Sequence, residues 1–338
     1  MTAGAATALE LACPACGAAL PDPGRCESCG REFGSVAGLP DLRLEYPDPS
    51  LSLEDDLARA QELADAAAEG DFADLLRHRW RFGDRPAALV ERFVAGDLGA
   101  VSRSDQYLDA IERERGRGLG AGDLLLEVGC GTGALAVAAA ARGARVAATD
   151  ISMRWIVLAA KRIAEAGGEG IALVCSSAEQ PPFPPGSFDV VVASDVIEHA
   201  ARQDDFVAGC ARMLKPGGML FLATPNRFSL GLEPHVRLWG AGWLPHRVAR
   251  RYVRAVRKAD YDHVHLLSAP KLRRVLHRAG LRPRIVPPAI PPATQELYRG
   301  PELALVRAYN RARRYAPVRA ALLAVGPFFH VFARKEEA

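Results

Sequence analysis

The sequence predicts a doubly wound α/β domain, and three neighbouring features in the middle of the chain predict it. The apolar run at residues 124–126, continued by Val128, is typical of a parallel strand buried on both faces. Gly129, Gly131 and Gly133 follow it directly, and the apolar stretch 134–141 then predicts a helix. Glycines allow a sharp turn and a close approach of ligand, and the start of a helix offers free N–H groups. This stretch therefore predicts a nucleotide-type cofactor site at the first strand of the sheet.

Composition places the chain among soluble globular proteins. Its 338 residues are enough for one large domain or two modest ones, and 49% hydrophobic with 25% charged residues is ordinary for that class. We find no apolar run of the roughly 18 residues that a membrane span needs. Residues 1–11 lack the basic start and apolar core of a signal peptide. We therefore expect a cytoplasmic protein.

Charge is distributed unevenly along the chain. Residues 1–200 carry 18 Lys and Arg against 31 Asp and Glu, whereas residues 201–338 carry 25 against 9. A positive second half favours an anionic partner. Well-solvated helix faces in an arginine-rich protein explain the same pattern, and both interpretations stay open.

Four of the seven cysteines lie in two C-x-x-C pairs near the N-terminus: Cys13, Cys16, Cys26 and Cys29. Two such pairs separated by a short hairpin place four thiolates around one tetrahedral zinc ion. Disulfides are the rival interpretation, which a cytosolic location disfavours. The sequence therefore predicts a zinc ribbon with a structural metal. The three other cysteines are predicted to be buried thiols: Cys130, Cys175 and Cys210.

Helical patterns fill the segment between the ribbon and the first strand. A proline-rich linker is predicted at residues 46–52, followed by helices at 53–68, 72–82, 86–93 and 104–115. Beyond the glycine turn, strands are predicted at 144–150, 171–175, 188–194 and 219–226. The last two strands are expected at 281–286 and 328–334, the final one antiparallel at the edge of the sheet. One or two basic helices are predicted within residues 296–324.

The spacing Glu127-x-Gly129-x-Gly131-x-Gly133 closely resembles the first motif of the class I S-adenosylmethionine-dependent methyltransferases. Three later motifs resemble the same family in order and spacing. They are the stretch at 177–183, the Phe-Asp strand at 188–194 leading to Glu198-His199, and the Pro-Gly-Gly turn at 216–218. Within the family, the pattern is similar to methyltransferase type 11 and to the methyltransferases of quinone biosynthesis.

The resemblance implies a seven-stranded Rossmann-like methyltransferase domain with a small N-terminal zinc ribbon and a helical lid. It divides the chain into a ribbon at 1–45, a linker and lid at 46–120, and the methyltransferase domain at 121–338. It also implies S-adenosylmethionine as the cofactor. The cofactor-binding residues that it implies are Glu127, Gly129, Gly131, Gly133, Asp150, Ile151, Ser177, Ala178 and Ser194.

Asp150 is the cofactor residue with the clearest chemical role. It ends the predicted second strand, 19 residues after Gly131. An ionised carboxylate at the carboxyl edge of the sheet can accept hydrogen bonds from both ribose hydroxyls of a bound adenosine. Helix capping is the alternative role. Ser177 stands where the family usually has an aspartate, so it offers a weaker, neutral acceptor for the adenine amino group.

Two histidines are candidate general bases. His199 follows the fourth strand of the domain, and an imidazole that titrates near neutral pH can take a proton from a hydroxyl or an acidic carbon. The segment around residue 263 resembles one in which His263 or His265 faces the active site in some family members, and each is a weaker candidate than His199. Packing of His199 on the following helix is the alternative.

Residues 227–262 form a longer insert than a minimal methyltransferase needs. It contains several aromatic residues together with a basic run between Arg247 and Lys258. Inserts at this edge of the sheet usually shape the acceptor site. The alternative is a helical pair whose tryptophans, Trp239 and Trp243, point inward while its arginines remain in water.

These features predict an O- or C-methyltransferase acting on a small molecule, a glycan precursor or a lipid. An RNA methyltransferase that uses the ribbon and the basic second half is the alternative. A non-catalytic S-adenosylmethionine-binding scaffold and a dinucleotide-dependent dehydrogenase are the remaining rivals. The sequence does not fix the oligomeric state.

Overall fold

A computed structural model describes residues 9–46, 51–83, 85–168, 170–290, 295 and 299–337. The chain divides into two compact units. The first contains residues 1–193, 208–219 and 337–338, and the second contains 194–207 and 220–336. Parts of the predicted linker, of the N-terminal segment and of the basic stretch before residue 299 lie outside the described residues.

Each of the seven predicted domain strands is a strand in the structure, which confirms the α/β fold. The ribbon contributes two short strands ahead of them, and the insert contributes two more. In chain order the strands are β1 (Gly34–Val36), β2 (Leu39–Asp41), β3 (Leu124–Val128), β4 (Arg145–Asp150), β5 (Ala172–Cys175), β6 (Phe188–Ser194), β7 (Leu214–Pro225), β8 (Leu232–Glu233), β9 (Leu238–Trp239), β10 (Leu281–Val286) and β11 (Phe328–Lys335).

The helices also follow the predicted pattern, although two of the four early helices differ in extent from the prediction. In chain order they are α1 (Leu53–Glu69), α2 (Phe72–Arg81), α3 (Ala87–Leu98), α4 (Ala100–Arg115), α5 (Ala134–Ala141), α6 (Met153–Glu165), α7 (Gln203–Met213), α8 (His246–Arg257), α9 (Ala269–Arg278), α10 (Gly300–Ala312) and α11 (Ala316–Val325). The predicted third helix extends further to residue 98, and the fourth begins earlier, at residue 100.

The sheet of the first unit places the glycine turn at a change of direction. Its strand order is β1-β2-β5-β4-β3-β6. Strand β3 is parallel to both of its neighbours, with Leu126 opposite Ala147 on β4 and Val191 on β6. The chain moves outward from β3 to β5 and then returns to β6 on the other side. Ligands of open α/β sheets bind at the carboxyl edge at such a point.

The ribbon joins this sheet directly. Strand β2 runs parallel to β5, with Asp41 opposite Cys175, and the Leu42 N–H donates to the Cys175 carbonyl at 2.8 Å. Leu20 and Leu42 pack with Val174 of β5 in one buried cluster. The sequence indicated a ribbon but not this pairing, which extends the sheet beyond β5.

Helices α1 and α2 pack against α6, the helix that follows β4, whereas α4 packs against α5. Helix α1 packs along α6 and buries Ala60 and Leu63, while α2 also contacts α6 and buries Leu75 and Leu76. Ser52 caps α1 by accepting the Asp55 N–H at 3.0 Å. The apolar stripe of α1 is therefore directed at the element that carries the segment after Asp150.

The second unit contains an antiparallel pair of strands and the insert at residues 227–262. Strands β10 and β11 pair from Leu281 opposite Lys335 to Val286 opposite His330, which confirms that the final strand is antiparallel. Its predicted place at the edge of the sheet is wrong, because β11 lies between β7 and β10 and the edge strand is β10. In the insert, Ala249 and Val253 of α8 pack with Tyr261 and Val264 in a separate buried cluster. Among the described residues, no helix is both long and apolar enough to cross a membrane.

The turn predicted at residues 216–218 is the one local difference in the domain motifs. Helix α7 ends at Met213 and β7 begins at Leu214, so the Pro-Gly-Gly sequence lies within the first part of the strand. Gly217 has a φ of 74°, which only glycine adopts easily, and this residue provides the local change of direction.

Candidate active site

The glycine turn after β3 is fixed to the end of β4 by the backbone. Gly129, Gly131 and Gly133 all have positive φ, between 50° and 73°. The N–H groups of Gly129 and Cys130 donate to the Thr149 carbonyl at 2.7 and 2.9 Å. A Cβ at Gly133 would lie 3.0 Å from the Cβ of Ala159, whereas one at Gly131 would meet no described atom within 4 Å. Gly133 is thus required for packing, and Gly131 leaves open space in front of the turn.

Glu127 is buried beneath this turn. One of its carboxylate oxygens accepts the backbone N–H of Ala136, in the first turn of α5, at 2.9 Å. Burial raises the pKa of Glu127 to about 8, and the nearby Asp150 carboxylate adds to the effect. In the structure, Glu127 therefore ties the strand to the helix that follows the turn.

Asp150 lies beside the turn and organises it. Its Oδ2 accepts the Gly131 N–H at 2.9 Å, and its Oδ1 accepts the Ser152 N–H at 2.9 Å. Burial raises the pKa of Asp150 to about 6, although these two N–H groups oppose the effect. The carboxylate shapes both the glycine turn and the loop after β4, which carries Ile151. Each oxygen retains a lone pair for a further donor.

A second buried carboxylate, Asp56 of α1, holds the other side of that loop. Asp56 is fully buried. Its Oδ1 accepts the Ser152 hydroxyl at 2.7 Å and Arg154 Nε at 2.6 Å, and its Oδ2 accepts the Met153 N–H at 2.9 Å. Burial alone would raise the pKa of Asp56, but these donors and Arg43 outweigh burial and lower it. Asp56 is therefore an ionised anchor for the start of α6.

Arg43 connects the ribbon to the same anchor. Its Nη1 donates to Asp56 Oδ2 and to the Ile151 carbonyl, each at 2.8 Å, while the guanidinium also pairs with Asp41. The Arg43 side chain is only 3% exposed. The segment from Ile151 to Arg154 is thus clamped by residues of the ribbon and of α1, and the sequence analysis identified neither Arg43 nor Asp56.

The remaining predicted cofactor residues fall into two groups. Ser177 follows β5, where the Ser176 N–H donates to the Asp150 carbonyl at 2.9 Å, so the segment that carries Ser177 and Ala178 lies beside the end of β4. The Ser177 hydroxyl donates to Glu179 and accepts the Glu179 N–H at 3.2 Å. Ser194 is half-buried at the end of β6 and belongs to the second unit.

The four N-terminal cysteines form a compact cluster in the first unit. Their sulfur atoms all lie within 4.8 Å of one another, with Cys13 and Cys29 at 3.8 Å and Cys16 and Cys26 at 3.6 Å. Four sulfurs bound at about 2.3 Å in a tetrahedron lie about 3.8 Å apart, so the cluster fits a zinc ion. All four are free thiols rather than disulfides.

A cluster of histidines and acids forms the candidate site of the second unit. The His199 ring contacts His235 edge-on at a centroid distance of 4.9 Å and stacks on His263 at 5.7 Å. Glu198 is fully buried and accepts the Thr224 hydroxyl at 2.9 Å. Ligand atoms of Glu198, His199 and His235 lie within 4.8 Å of one another, which is close enough to hold a cation or to pass a proton through one water. The two predicted bases, His199 and His263, are therefore together.

The insert supplies an acid that the sequence analysis did not identify. Glu233 is buried, and its Oε1 lies 2.5 Å from Nδ1 of His235. Its other oxygen accepts the Val236 N–H at 2.9 Å. The pair fixes the orientation of the His235 ring and leaves Nε2 directed at Glu198 Oε1, at 3.9 Å. The spacing Glu233-x-His235 was the available signal in the sequence.

The pKa values in this cluster diverge. The pKa of His199 is lowered to about 4. The main cause is desolvation of the ring by the groups packed around it, and the charges of His235 and His263 add to the effect. Burial opposes the charged form of His235, but Glu233 outweighs it and raises the His235 pKa. Burial raises the pKa of Glu198 to about 7. His199 is thus neutral at pH 7, beside two groups better able to hold a proton.

The exposed tryptophans of the insert contradict the inward packing considered above. Trp239 is 61% exposed and Trp243 is 43% exposed. Their indole N–H groups donate to the carbonyls of Leu230 and Ser229, at 3.1 and 2.9 Å. These short-range bonds hold the rings at the surface, so the core of the insert is formed by smaller apolar residues.

One family model matches the central part of the chain. Residues 126–222 match the family model described as a methyltransferase domain. The match contains the glycine turn, Asp150, Ser177, Glu198 and His199. It does not extend to the ribbon, to α1 or to the segment that carries His263.

Two curated relatives share one name with each other. A ubiquinone biosynthesis O-methyltransferase of Parvibaculum lavamentivorans is 40% identical over 111 residues, which cover 31% of this chain and 42% of that protein. Its counterpart in Agrobacterium fabrum is 33% identical over 144 residues, which cover 42% of this chain and 56% of that protein. The chain spans about half the length of these relatives.

Among solved structures, a putative sarcosine dimethylglycine methyltransferase of Galdieria sulphuraria is similar at a TM-score of 0.47. The two sequences are 17% identical, and the alignment covers 70% of this chain and 86% of that one.

Proposed function

We propose that this chain is an S-adenosylmethionine-dependent O-methyltransferase that acts on a small-molecule or lipid acceptor. The observation that carries the proposal is the glycine turn pinned to Asp150 inside the segment that matches the methyltransferase family. The similarity to O-methyltransferases of ubiquinone biosynthesis supports an oxygen atom as the methyl acceptor.

The glycine-turn site fits the cofactor. The turn leaves open space in front of Gly131, and the Asp150 carboxylate retains acceptor capacity for ribose hydroxyls. When bound, S-adenosylmethionine supplies a methyl group that is already activated by its sulfonium. The task of the protein is therefore to align the acceptor oxygen and to remove its proton.

Asp56 and Arg43 act as positioning residues in this site. Together they fix the loop from Ile151 to Arg154, which follows the ribose-binding carboxylate. A loop held by buried charge-assisted hydrogen bonds needs little ordering when a cofactor binds. In this proposal, the ribbon and α1 prepare the cofactor site before ligand arrives.

Proton removal belongs to the histidine cluster. His199 is neutral at pH 7 because its pKa is lowered to about 4, so its ring can accept the proton of an acceptor hydroxyl. The same low pKa favours onward transfer of the proton. Glu198, with a pKa raised to about 7, and His235 lie within reach to receive it.

Transfer of labelled methyl tests the proposal. The purified protein is incubated with methyl-labelled S-adenosylmethionine and an extract of the source organism that lacks this gene, and the RNA, protein, lipid and small-molecule fractions are counted. We expect label in the lipid or small-molecule fraction, absent with an Asp150→Ala variant. Label in RNA would replace this proposal with the RNA methyltransferase, and a lack of label in every fraction would support the non-catalytic scaffold.

A further inference from the structure

The second unit contains a cavity that the proposed proton transfer does not use. It has a volume of about 140 Å³ and is lined by Arg227, His246, Tyr261, His265 and Lys271 together with apolar and backbone groups. A single water needs roughly 10–15 Å³ of such space, so the cavity accommodates a group of several atoms. No carboxylate is among its lining residues.

Two polar atoms at this cavity lack a partner. Tyr261 is 3% exposed, and its hydroxyl is buried without a hydrogen bond to any described residue. The same is true of Nε2 of His246. The two rings lie 6.2 Å apart, and His246 also contacts His265 at 4.7 Å. Since unsatisfied buried polar groups are rare in folded proteins, these atoms point to a ligand that forms hydrogen bonds with them.

The charges around the cavity are positive. Arg227 donates to the Gly242 carbonyl at 3.1 Å, and Lys271, exposed at the rim, donates to the amide oxygen of Gln203 at 3.1 Å. Neither forms a salt bridge with an acid in the described part of the chain. Burial, and then the nearby His246 and Lys271, lower the pKa of His265. The cavity therefore combines two cations with the polar atoms of Tyr261, His246 and His265.

The N-termini of two helices add to the positive charge around the cavity. Helix α8 begins at His246, and Lys271 lies in the first turn of α9, so two helices begin at the cavity. The N-terminus of a helix carries partial positive charge and favours anions.

We propose that this cavity binds an anionic group of the acceptor, a phosphate or a carboxylate. The inference rests on the proposed function, because it assigns the cavity to the molecule that is methylated. The segment from Tyr261 to His265 lines the cavity and also contributes His263 to the histidine cluster. The His265 N–H donates to the Glu198 carbonyl at 2.7 Å, which fixes the two sites relative to each other. An acceptor held by its anion in the cavity presents its hydroxyl to His199.

Calorimetric titration with three aromatic probes tests the inference: phenyl phosphate, benzoate and the neutral benzyl alcohol. We expect binding of one or both anions, and the tighter one identifies the chemistry as phosphate or carboxylate. Lys271→Met is expected to weaken anion binding about tenfold and Tyr261→Phe several-fold, because each removes a donor to a charged group. Arg274→Met, on the exposed face of the same helix, is the matched control and should leave binding within twofold.

Equal binding of benzyl alcohol and the anions, or anion binding unchanged in both cavity variants, would overturn the inference. Thermal unfolding establishes that each variant is folded, and Tyr261→Phe keeps the ring that packs in the core. Binding of S-adenosylhomocysteine to the wild-type protein is measured separately. Its absence would reject the proposed function, whereas its presence with no anion binding would reject only this inference.

Discussion

The glycine-turn site and the histidine cluster differ in how far their buried polar groups are hydrogen-bonded. Asp56 receives hydrogen bonds from four protein groups, and both oxygens of Asp150 accept backbone N–H groups. In contrast, Oε1 of Glu198 and Nδ1 of His263 are buried without a hydrogen-bond partner among the described residues. The buried carboxylates of the first site are thus paired within the protein, although Asp150 retains acceptor capacity, whereas the second site holds buried atoms with no partner among the described residues.

This difference indicates which of the two sites contributes more to stability and which contributes more to activity. Satisfied buried networks are costly to break because the remaining partner is left uncompensated. Unsatisfied groups already carry that cost in the folded protein and contribute to function instead. We therefore expect substitutions in the first site to reduce stability and substitutions in the second to reduce turnover.

The largest effect is expected from the metal cluster of the ribbon. We expect one zinc ion per purified chain, measured by atomic absorption, and its loss in a Cys26→Ser variant. Structural zinc contributes about 10–16 kcal/mol in small zinc domains, so the ribbon should unfold locally and expose β5. Cys210→Ser, at a buried thiol outside the ribbon, should retain the metal. Full zinc content in the Cys26 variant would reject the four-cysteine site.

Removing the His199 ring should reduce turnover without reducing stability. General-base catalysis contributes about 10²- to 10⁴-fold, and we expect a His199→Ala variant to lose activity in that range in the labelled-methyl assay. His277→Ala, on the exposed surface of α9, is the control. Normal turnover in the variant would show that another group removes the proton. A loss of stability in the variant would contradict the proposed difference between the two sites.

Breaking the Asp56 anchor should have the opposite signature. Asp56→Asn removes the buried carboxylate charge that Arg43 and Arg154 share, so we expect a loss of about 3–5 kcal/mol in the free energy of unfolding measured in urea. Asp65→Asn lies on the exposed face of the same helix and should change stability by less than about 0.5 kcal/mol. Similar values for the two variants would show that the anchor is not an energetic unit.

The smallest effect concerns pH. The folded pKa of Glu127 is about 8, against an ordinary value of 4.5, so the folded protein holds this proton more tightly than the unfolded chain. This group therefore lowers stability as pH rises through that window, by up to about 1.4 kcal/mol per unit. We expect Glu127→Gln to flatten the decline between pH 6 and 8 in urea titrations, and Glu69→Gln on the surface of α1 to leave it unchanged. Parallel curves for wild type and Glu127→Gln would reject the raised pKa.

Sequence reasoning succeeded where the physical signal was local. The apolar strand, the positive-φ glycines and the acid 19 residues later are all set by neighbours in the chain, so the turn and Asp150 were predicted together. The same holds for the C-x-x-C pairs, whose knuckle turns bring the Gly17 and Gly30 N–H groups to the Cys13 and Cys26 carbonyls.

The functional residues that the sequence did not reveal depend on tertiary contacts. Asp56 is the last of three consecutive acids at the start of α1, a position where acids ordinarily complement the helix dipole. Only its place on the buried stripe with Ala60 and Leu63 distinguishes it. Arg43 gains its role from Asp56 and from the Ile151 carbonyl, which is 108 residues away in the chain. Glu233 gains its role from the orientation of the His235 ring, which the Glu233-x-His235 spacing alone does not determine.

Calorimetric titration of S-adenosylhomocysteine into three proteins tests the central claim most directly: wild type, Asp150→Ala and His199→Ala. The account predicts binding by the wild type, affinity at least about tenfold weaker in Asp150→Ala, and affinity within twofold of the wild type in His199→Ala. Absence of binding by the wild type, or equal affinity of the Asp150 variant, would contradict the assignment of the glycine-turn site to the cofactor.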